Sequence, residues 1–99
     1  MLFVSTLLSA QSTTETIKVS GNCGRCQKHI EKAALAAGAE KASWNKKTKI
    51  LTVTYDASKT TNDAIQKKVA SVGYDTEKFV GDENAYKNLD ECCQYDGKK

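Results

Sequence analysis

The sequence contains no proline, one histidine and one tryptophan among its 99 residues. The absence of proline excludes an active site built around a cis-proline. No apolar run is long enough to span a membrane, so stable membrane insertion is not expected. Lysine and glutamate alternate along the chain and the net charge is only +3. Because no basic block stands out, nucleic-acid binding gains no support.

Cysteine, by contrast, occurs four times in two close pairs, Cys23 with Cys26 and Cys92 with Cys93. A disulfide within either pair would close a very small loop and would constrain the unfolded chain little. The cysteines therefore indicate chemistry rather than the stapling of a fold, either metal binding or thiol redox exchange.

The motif Cys23-Gly24-Arg25-Cys26 stands between a strand-like and a helix-like segment. At the start of a helix, unpaired backbone N–H groups and the positive end of the helix dipole favour thiolate over thiol. Two sulfurs suffice for Cu(I) or Hg(II), whereas Zn(II) prefers four ligands. We interpret the pair as a soft-metal site. A thiol–disulfide redox protein is the alternative, since such proteins share this cysteine spacing.

The pattern of apolar residues predicts six elements. Alternation of apolar and polar residues indicates strands, and apolar residues three and four apart, followed by glycine, indicate helices. The elements are strand 16–20, helix 24–37, strand 42–45, strand 49–55, a helix that is capped by Thr60 or Thr61 and ends at Gly73, and strand 74–80. This order predicts an α+β, ferredoxin-like βαββαβ fold with a four-stranded antiparallel sheet and both helices on one face.

Outside this domain, predicted as residues 16–80, lie two further segments. Residues 1–15 are interpreted as the remnant of an export signal or as a disordered N-terminus, because the apolar stretch from Leu2 to Leu8 precedes small residues but lacks a basic start. Export would place the protein in the periplasm or outside the cell, and a cytoplasmic location is the alternative. Residues 81–99 form a tail with a short helix over 82–89 and the pair Cys92-Cys93.

The tail has two open interpretations. A strand spans about 20 Å, and a short helix with a loop covers that distance, so Cys92 or Cys93 could reach the first cysteine pair. A third or fourth sulfur would shift the metal preference toward Zn(II), Cd(II) or a Cu(I) cluster. In the other interpretation the tail is free, and its two thiols stay independent or oxidise.

From Ile17 to Val80 several short motifs occur in a recognisable order. They are Val19-Ser20-Gly21, the Cys23 and Cys26 pair, Ile30-Glu31-Lys32-Ala33, the hairpin from Trp44 to Tyr55, and Gly73-Tyr74-Asp75. Together they resemble the heavy-metal-associated domain family, which includes domains of copper metallochaperones, of metal-transporting ATPases and of mercury-binding proteins.

This resemblance implies a protein that is not an enzyme and that holds one ion between two thiolates. The ion is usually Cu(I), with Hg(II), Zn(II) and Cd(II) as other possibilities. It implies a partner such as a metal-transporting ATPase or another metal-handling protein, and a monomer or a metal-bridged dimer. It also places an aromatic residue near the site, here Tyr74.

Two features differ from the family pattern. Asn22 stands where the family has methionine, in a loop that is one residue shorter, and the tail with Cys92 and Cys93 is unusual. His29 lies three residues after Cys26 and could share its helix face as an additional ligand or proton acceptor. A solvent-facing His29 is the alternative for an amphipathic helix.

Overall fold

The computed structural model describes residues 12–99. Three strands and three helices follow one another as β1 (Ser12–Lys18), α1 (Gly24–Ala36), β2 (Lys41–Asn45), β3 (Ile50–Asp56), α2 (Asn62–Ser71) and α3 (Glu83–Lys87), and a 3-10 turn spans Glu91–Cys93. The sheet has the order β1-β3-β2, and both pairings are antiparallel. The predicted α+β class and the order of its first five elements are confirmed.

The strand β1 begins earlier than the sequence pattern predicted. Residues 12–15, assigned to the segment outside the domain, pair with the central strand β3, with Ser12 opposite Asp56. Successive threonines explain the difference, because β-branched residues favour the extended backbone even where the segment is polar. The rest of the predicted export signal lies outside the described residues.

The core lies between one face of the sheet and the two longer helices. Along β3, Leu51, Val53 and Tyr55 are buried while Thr52 is exposed, which is the alternation expected of a half-buried strand. The helices contribute mostly small or branched side chains to the same core: Ile30, Ala33, Ala34, Ile65 and Val69. Alanine allows α1 to approach the sheet closely.

The predicted fourth strand is not formed as a strand. Over residues 74–80 the structure has a single antiparallel bridge, between Val19 and Thr76. The ladder does not extend because the Lys18 N–H donates to the Glu77 carboxylate, at 2.7 Å, instead of to a backbone carbonyl. Within the described chain the sheet therefore has three strands rather than four.

The ends of the helices follow the sequence signals closely. Thr61 caps α2 by accepting a hydrogen bond from the Ala64 N–H at 3.1 Å, which decides between the two threonines predicted as caps. Gly38 and Gly73 have φ values of 110° and 108°, a conformation that favours glycine after a helix. The tail helix α3 is shorter than the predicted 82–89. None of the helices in residues 12–99 is long and apolar enough to cross a membrane.

The tail packs against the chain that follows α2 through a glycine contact. A Cβ built on Gly81 would lie 2.7 Å from the Gly73 carbonyl carbon and 2.9 Å from that of Tyr74. Because these neighbours are backbone atoms, they cannot rotate away. Only a residue without a side chain fits at this crossing.

We therefore expect Gly81→Ala to lower the free energy of unfolding by about 1–3 kcal/mol, the usual cost of overpacking. Urea denaturation of the reduced protein measures the change. Gly24→Ala is the matched control, since a Cβ there meets nothing within 4 Å. Equal stability of the two variants would contradict the close crossing.

Candidate metal centre

Sulfur atoms from both ends of the domain meet at the start of α1. The Sγ atom of Cys23 lies 3.7 Å from that of Cys26, 3.7 Å from that of Cys93 and 3.0 Å from that of Cys92. The Sγ atoms of Cys23, Cys26 and Cys93 all lie within 4.8 Å of one another. Cys92 contacts Cys93 on the other side, with 3.9 Å between the sulfurs. Of the two interpretations of the tail, the structure has the one in which it reaches the first pair.

The cysteines differ in their exposure to solvent. Cys26 and Cys93 are fully buried, Cys23 is half-buried and Cys92 is exposed. The cluster therefore has a closed side, formed by the core, and an open side, formed by Cys23 and Cys92. All four thiols are free.

The loop before α1 is held in place by the second strand. The indole N–H of Trp44 donates to the Val19 carbonyl at 3.0 Å, and a Cβ on Gly21 would lie 2.9 Å from the Trp44 ring. The Asn22 N–H then points at the Cys26 Sγ, at 3.4 Å. Asn22 thus contributes a backbone donor to the site, while its side chain is exposed.

The helix start favours ionisation of one thiol in particular. Burial disfavours the Cys23 thiolate, but the hydrogen bond shared with the Cys92 sulfur and the backbone N–H groups of Cys26 and Arg25 outweigh it and lower the pKa of Cys23 to about 6. The hydrogen bond to Cys23 raises the pKa of Cys92. Burial raises the pKa of Cys93 well above its usual range. Cys23 therefore ionises more readily than Cys92 or Cys93.

Tyr74 borders the cluster on its buried side, and His29 contacts Tyr74. Tyr74 is fully buried, and its hydroxyl lies 3.0 Å from the Nδ1 atom of His29. Burial, with the sulfurs of Cys93 and Cys26 close by, raises the pKa of Tyr74 far above its ordinary value. His29 is half-buried, and its ring is hydrogen-bonded to Tyr74, so its position lies between the two alternatives given for it.

Sequence reasoning missed Tyr95, which docks the tail onto the domain. Its ring stacks on that of Tyr74, with centroids 5.9 Å apart, and it meets the Tyr86 ring edge-on at 5.0 Å. A tyrosine two residues after Cys93 was a visible signal, but a single aromatic residue in a polar tail does not indicate which surface it will cover. The ion pair between Arg25 and Asp90, at 2.6 Å, was equally hidden.

The donor set is chemically uniform. Three sulfurs converge and a fourth lies beside them, which suits soft ions such as Cu(I), Hg(II), Zn(II) and Cd(II) rather than ions that prefer oxygen. Around a tetrahedral ion with bonds of about 2.3 Å, sulfur atoms lie about 3.8 Å apart. The separations of 3.7 Å from Cys23 to Cys26 and to Cys93 are close to that value. The residues present therefore fit a thiolate-bound metal ion.

The fold and this cluster define a class of small α+β domains with a soft-metal site at the start of the first helix. A model of the heavy-metal-associated domain matches residues 16–75, more than half of the sequence. The chain belongs to the heavy-metal-associated domain family. The resemblance noted in the sequence is thereby confirmed, and the protein is a heavy-metal-binding domain of this family. The tail with Cys92 and Cys93 lies beyond the matched residues.

Known proteins of similar sequence and structure handle metals. The chain is 32% identical over 81 residues to a copper-exporting P-type ATPase of Staphylococcus saprophyticus, a match that covers 79% of this chain and 10% of the ATPase. The chain thus spans about a tenth of the length of that relative.

Two solved structures are similar in fold. The CopZ metallochaperone is 29% identical, with a TM-score of 0.62, over 65% of this chain and 98% of that one. Oxidized MerP from Ralstonia metallidurans CH34 is 29% identical, with a TM-score of 0.63, over 68% of this chain and 96% of that one.

The hydrogen bond between Cys23 and Cys92 leads to a prediction about the acidity of Cys23. In Cys92→Ala this hydrogen-bond partner is lost, so the pKa of Cys23 should rise from about 6 toward the value of an ordinary cysteine, about 8.5. The pH dependence of alkylation at Cys23, followed by mass spectrometry of the reduced apoprotein, measures it. Cys92→Ser is the matched control because its hydroxyl can still form a hydrogen bond with Cys23. An unchanged profile in Cys92→Ala would show that Cys92 has no part in the low pKa.

Proposed function

We propose that this domain binds a soft metal ion and passes it on as a metallochaperone or scavenger. The favoured ion is Cu(I), with Hg(II), Zn(II) and Cd(II) as alternatives. The observation that carries the proposal is the convergence of the sulfurs of Cys23, Cys26 and Cys93 within 4.8 Å of one another. The relative that is named a copper-exporting ATPase favours Cu(I) as the cargo, and the similarity to the CopZ metallochaperone favours a role in metal delivery.

Cys23 is the first ligand in this proposal. Its low pKa supplies a thiolate without a base, and it lies in contact with the other three sulfurs. Binding of the ion then displaces the proton from Cys93, whose pKa is raised, because metals bind thiolates rather than thiols. Metal affinity should therefore rise with pH.

Transfer would proceed by ligand exchange on the open side of the cluster. Cys92 is exposed and Cys23 half-buried, while Cys26 and Cys93 are fully buried. A thiolate of the partner can approach the ion from the side of Cys23 and Cys92 and replace the sulfurs one at a time, so the ion is never free. A partner with an exposed cysteine pair, such as a metal-binding domain of a transporting ATPase, fits this exchange. An exported location, in the periplasm or outside the cell, is part of the same proposal.

Metal binding by single-cysteine variants tests which sulfurs form the site. Native mass spectrometry of the reduced protein in a competition between Cu(I) and Zn(II) should show one tightly held ion. Cys93→Ser should weaken binding by at least the roughly tenfold that loss of an outer-shell partner costs. Cys92→Ser, the matched control one residue away, should weaken it less because Cys92 is exposed.

Equal binding by both variants and the wild type would contradict the role of the tail and leave a site of two sulfurs. Failure of the wild type to retain any metal would exclude the proposal and favour the thiol–disulfide redox alternative based on Cys23 and Cys26.

Transfer itself can be followed with a second domain as acceptor. When the Cu(I)-loaded protein is mixed with the apo form of a two-cysteine ATPase metal-binding domain, copper should appear on the acceptor in the presence of a chelator that captures free ions. Size separation followed by copper analysis measures it. Copper collected by the chelator instead of the acceptor would show release into solution and contradict direct exchange.

A further inference from the structure

Asp75, which immediately follows Tyr74, holds the far end of the tail. Its side chain is 2% exposed, yet its carboxylate is fully hydrogen-bonded. One oxygen accepts the Gly81 N–H at 2.7 Å and lies 3.0 Å from the Lys98 ammonium, and the other accepts the Lys99 N–H at 2.7 Å. A buried carboxylate requires such partners, because desolvation of an unpaired charge is very costly. The carboxylate therefore ties the beginning and the end of the tail to the domain.

The backbone of the same residue is joined to Tyr95. The Tyr95 hydroxyl accepts the Asp75 N–H at 2.9 Å and donates to the Gly73 carbonyl at 2.8 Å. The Tyr86 hydroxyl donates in turn to the Tyr95 carbonyl, at 2.7 Å. Tyr95 is two residues from Cys93, so a tail fixed at Tyr95 has little freedom in the position of the Cys93 sulfur.

Directly before Cys93 the polar attachment is weak. The ion pair between Arg25 and Asp90 joins side chains that are 66% and 54% exposed. Exposed ion pairs of this kind contribute little, since water screens them and both side chains lose freedom. Tyr86 and Leu89 add partly buried apolar packing, but the buried hydrogen bonds of Asp75 and Tyr95 are the strongest polar attachments that hold Cys93 in the cluster.

We propose that Asp75 is a positioning residue that sets the metal selectivity of the site through Cys93. The inference rests on the proposed function and adds how the third sulfur is supplied. With the tail held, the ion meets three sulfurs and Zn(II) or Cd(II) can be retained; with the tail released, the ion meets the two sulfurs of Cys23 and Cys26, which suffice for Cu(I) or Hg(II).

The test uses Asp75→Asn in the full chain. An amide has the shape of a carboxylate, but its NH₂ group would face either the Gly81 N–H and Lys98 or the Lys99 N–H, all of which are donors. Zn(II) affinity, measured by competition with a chromophoric chelator, should fall about tenfold or more, while Cu(I) affinity falls less. X-ray absorption of the Cu(I) form should give three sulfur neighbours in the wild type and two in the variant.

Two further variants separate positioning from general stability. Asp63→Asn is the matched control, because Asp63 also pairs with a lysine, Lys78, but on an exposed surface. Lys98→Gln removes the ion pair with Asp75 and so loosens the tail, while residues 16–80 keep their sequence. We expect Asp63→Asn to match the wild type in sulfur count and Zn(II) affinity, and Lys98→Gln to shift both in the direction of Asp75→Asn.

A folded Asp75→Asn that keeps three sulfurs and wild-type Zn(II) affinity would overturn the inference, as would a wild type with two sulfurs around Cu(I). If Asp75→Asn does not fold, the same results from Lys98→Gln decide in its place. A wild type that binds neither ion overturns the proposed function, whereas metal binding with an unchanged sulfur count overturns only the role of Asp75.

Discussion

The docking of the tail against residues 73–75 is the interaction on which the cluster depends. Cys93 is 70 residues from Cys23 in the sequence, and their sulfurs lie 3.7 Å apart because the tail docks with Tyr95 buried beside Tyr74. The helix start by itself supplies two sulfurs, those of Cys23 and Cys26. The tail closes one side of that pair with a buried sulfur and leaves the other side open, so a single packing event determines both the number of donors and the direction of access.

Hydrogen bonding explains why the tail docks in one position. Among the described residues, no buried polar side-chain atom lacks a partner. The Tyr95 hydroxyl and the Asp75 carboxylate are buried polar groups that need hydrogen-bond partners. Each finds backbone partners that come within reach only when the tail is docked on the domain. A shifted tail would leave a charge and a hydroxyl buried without partners, which is more costly than the loss of apolar contact alone.

The sequence predicted the core elements and the first cysteine pair well, and the tail only in outline. The helical spacing of apolar residues and the glycines that follow them were sufficient to predict α1 and α2, since those signals are local. The strand predicted over 74–80 failed because two side chains, Asp75 and Glu77, take hydrogen bonds that a strand would give to backbone groups. Tyr95 was missed because its role depends on a surface formed by residues far from it in the sequence.

The proposed transfer places two opposing requirements on the site. A third sulfur would strengthen the binding of an ion, but ligand exchange would need each sulfur to leave in turn, and Cys93 is fully buried. Exchange is therefore easiest if the tail moves away with Cys93 while Cys23 and Cys26 stay on α1. The polar contact nearest to Cys93 on its N-terminal side is an exposed ion pair, whereas Tyr95 on the other side is held by buried hydrogen bonds. The strength of the tail's docking, more than the sulfur chemistry, would then govern how readily the domain gives up its metal.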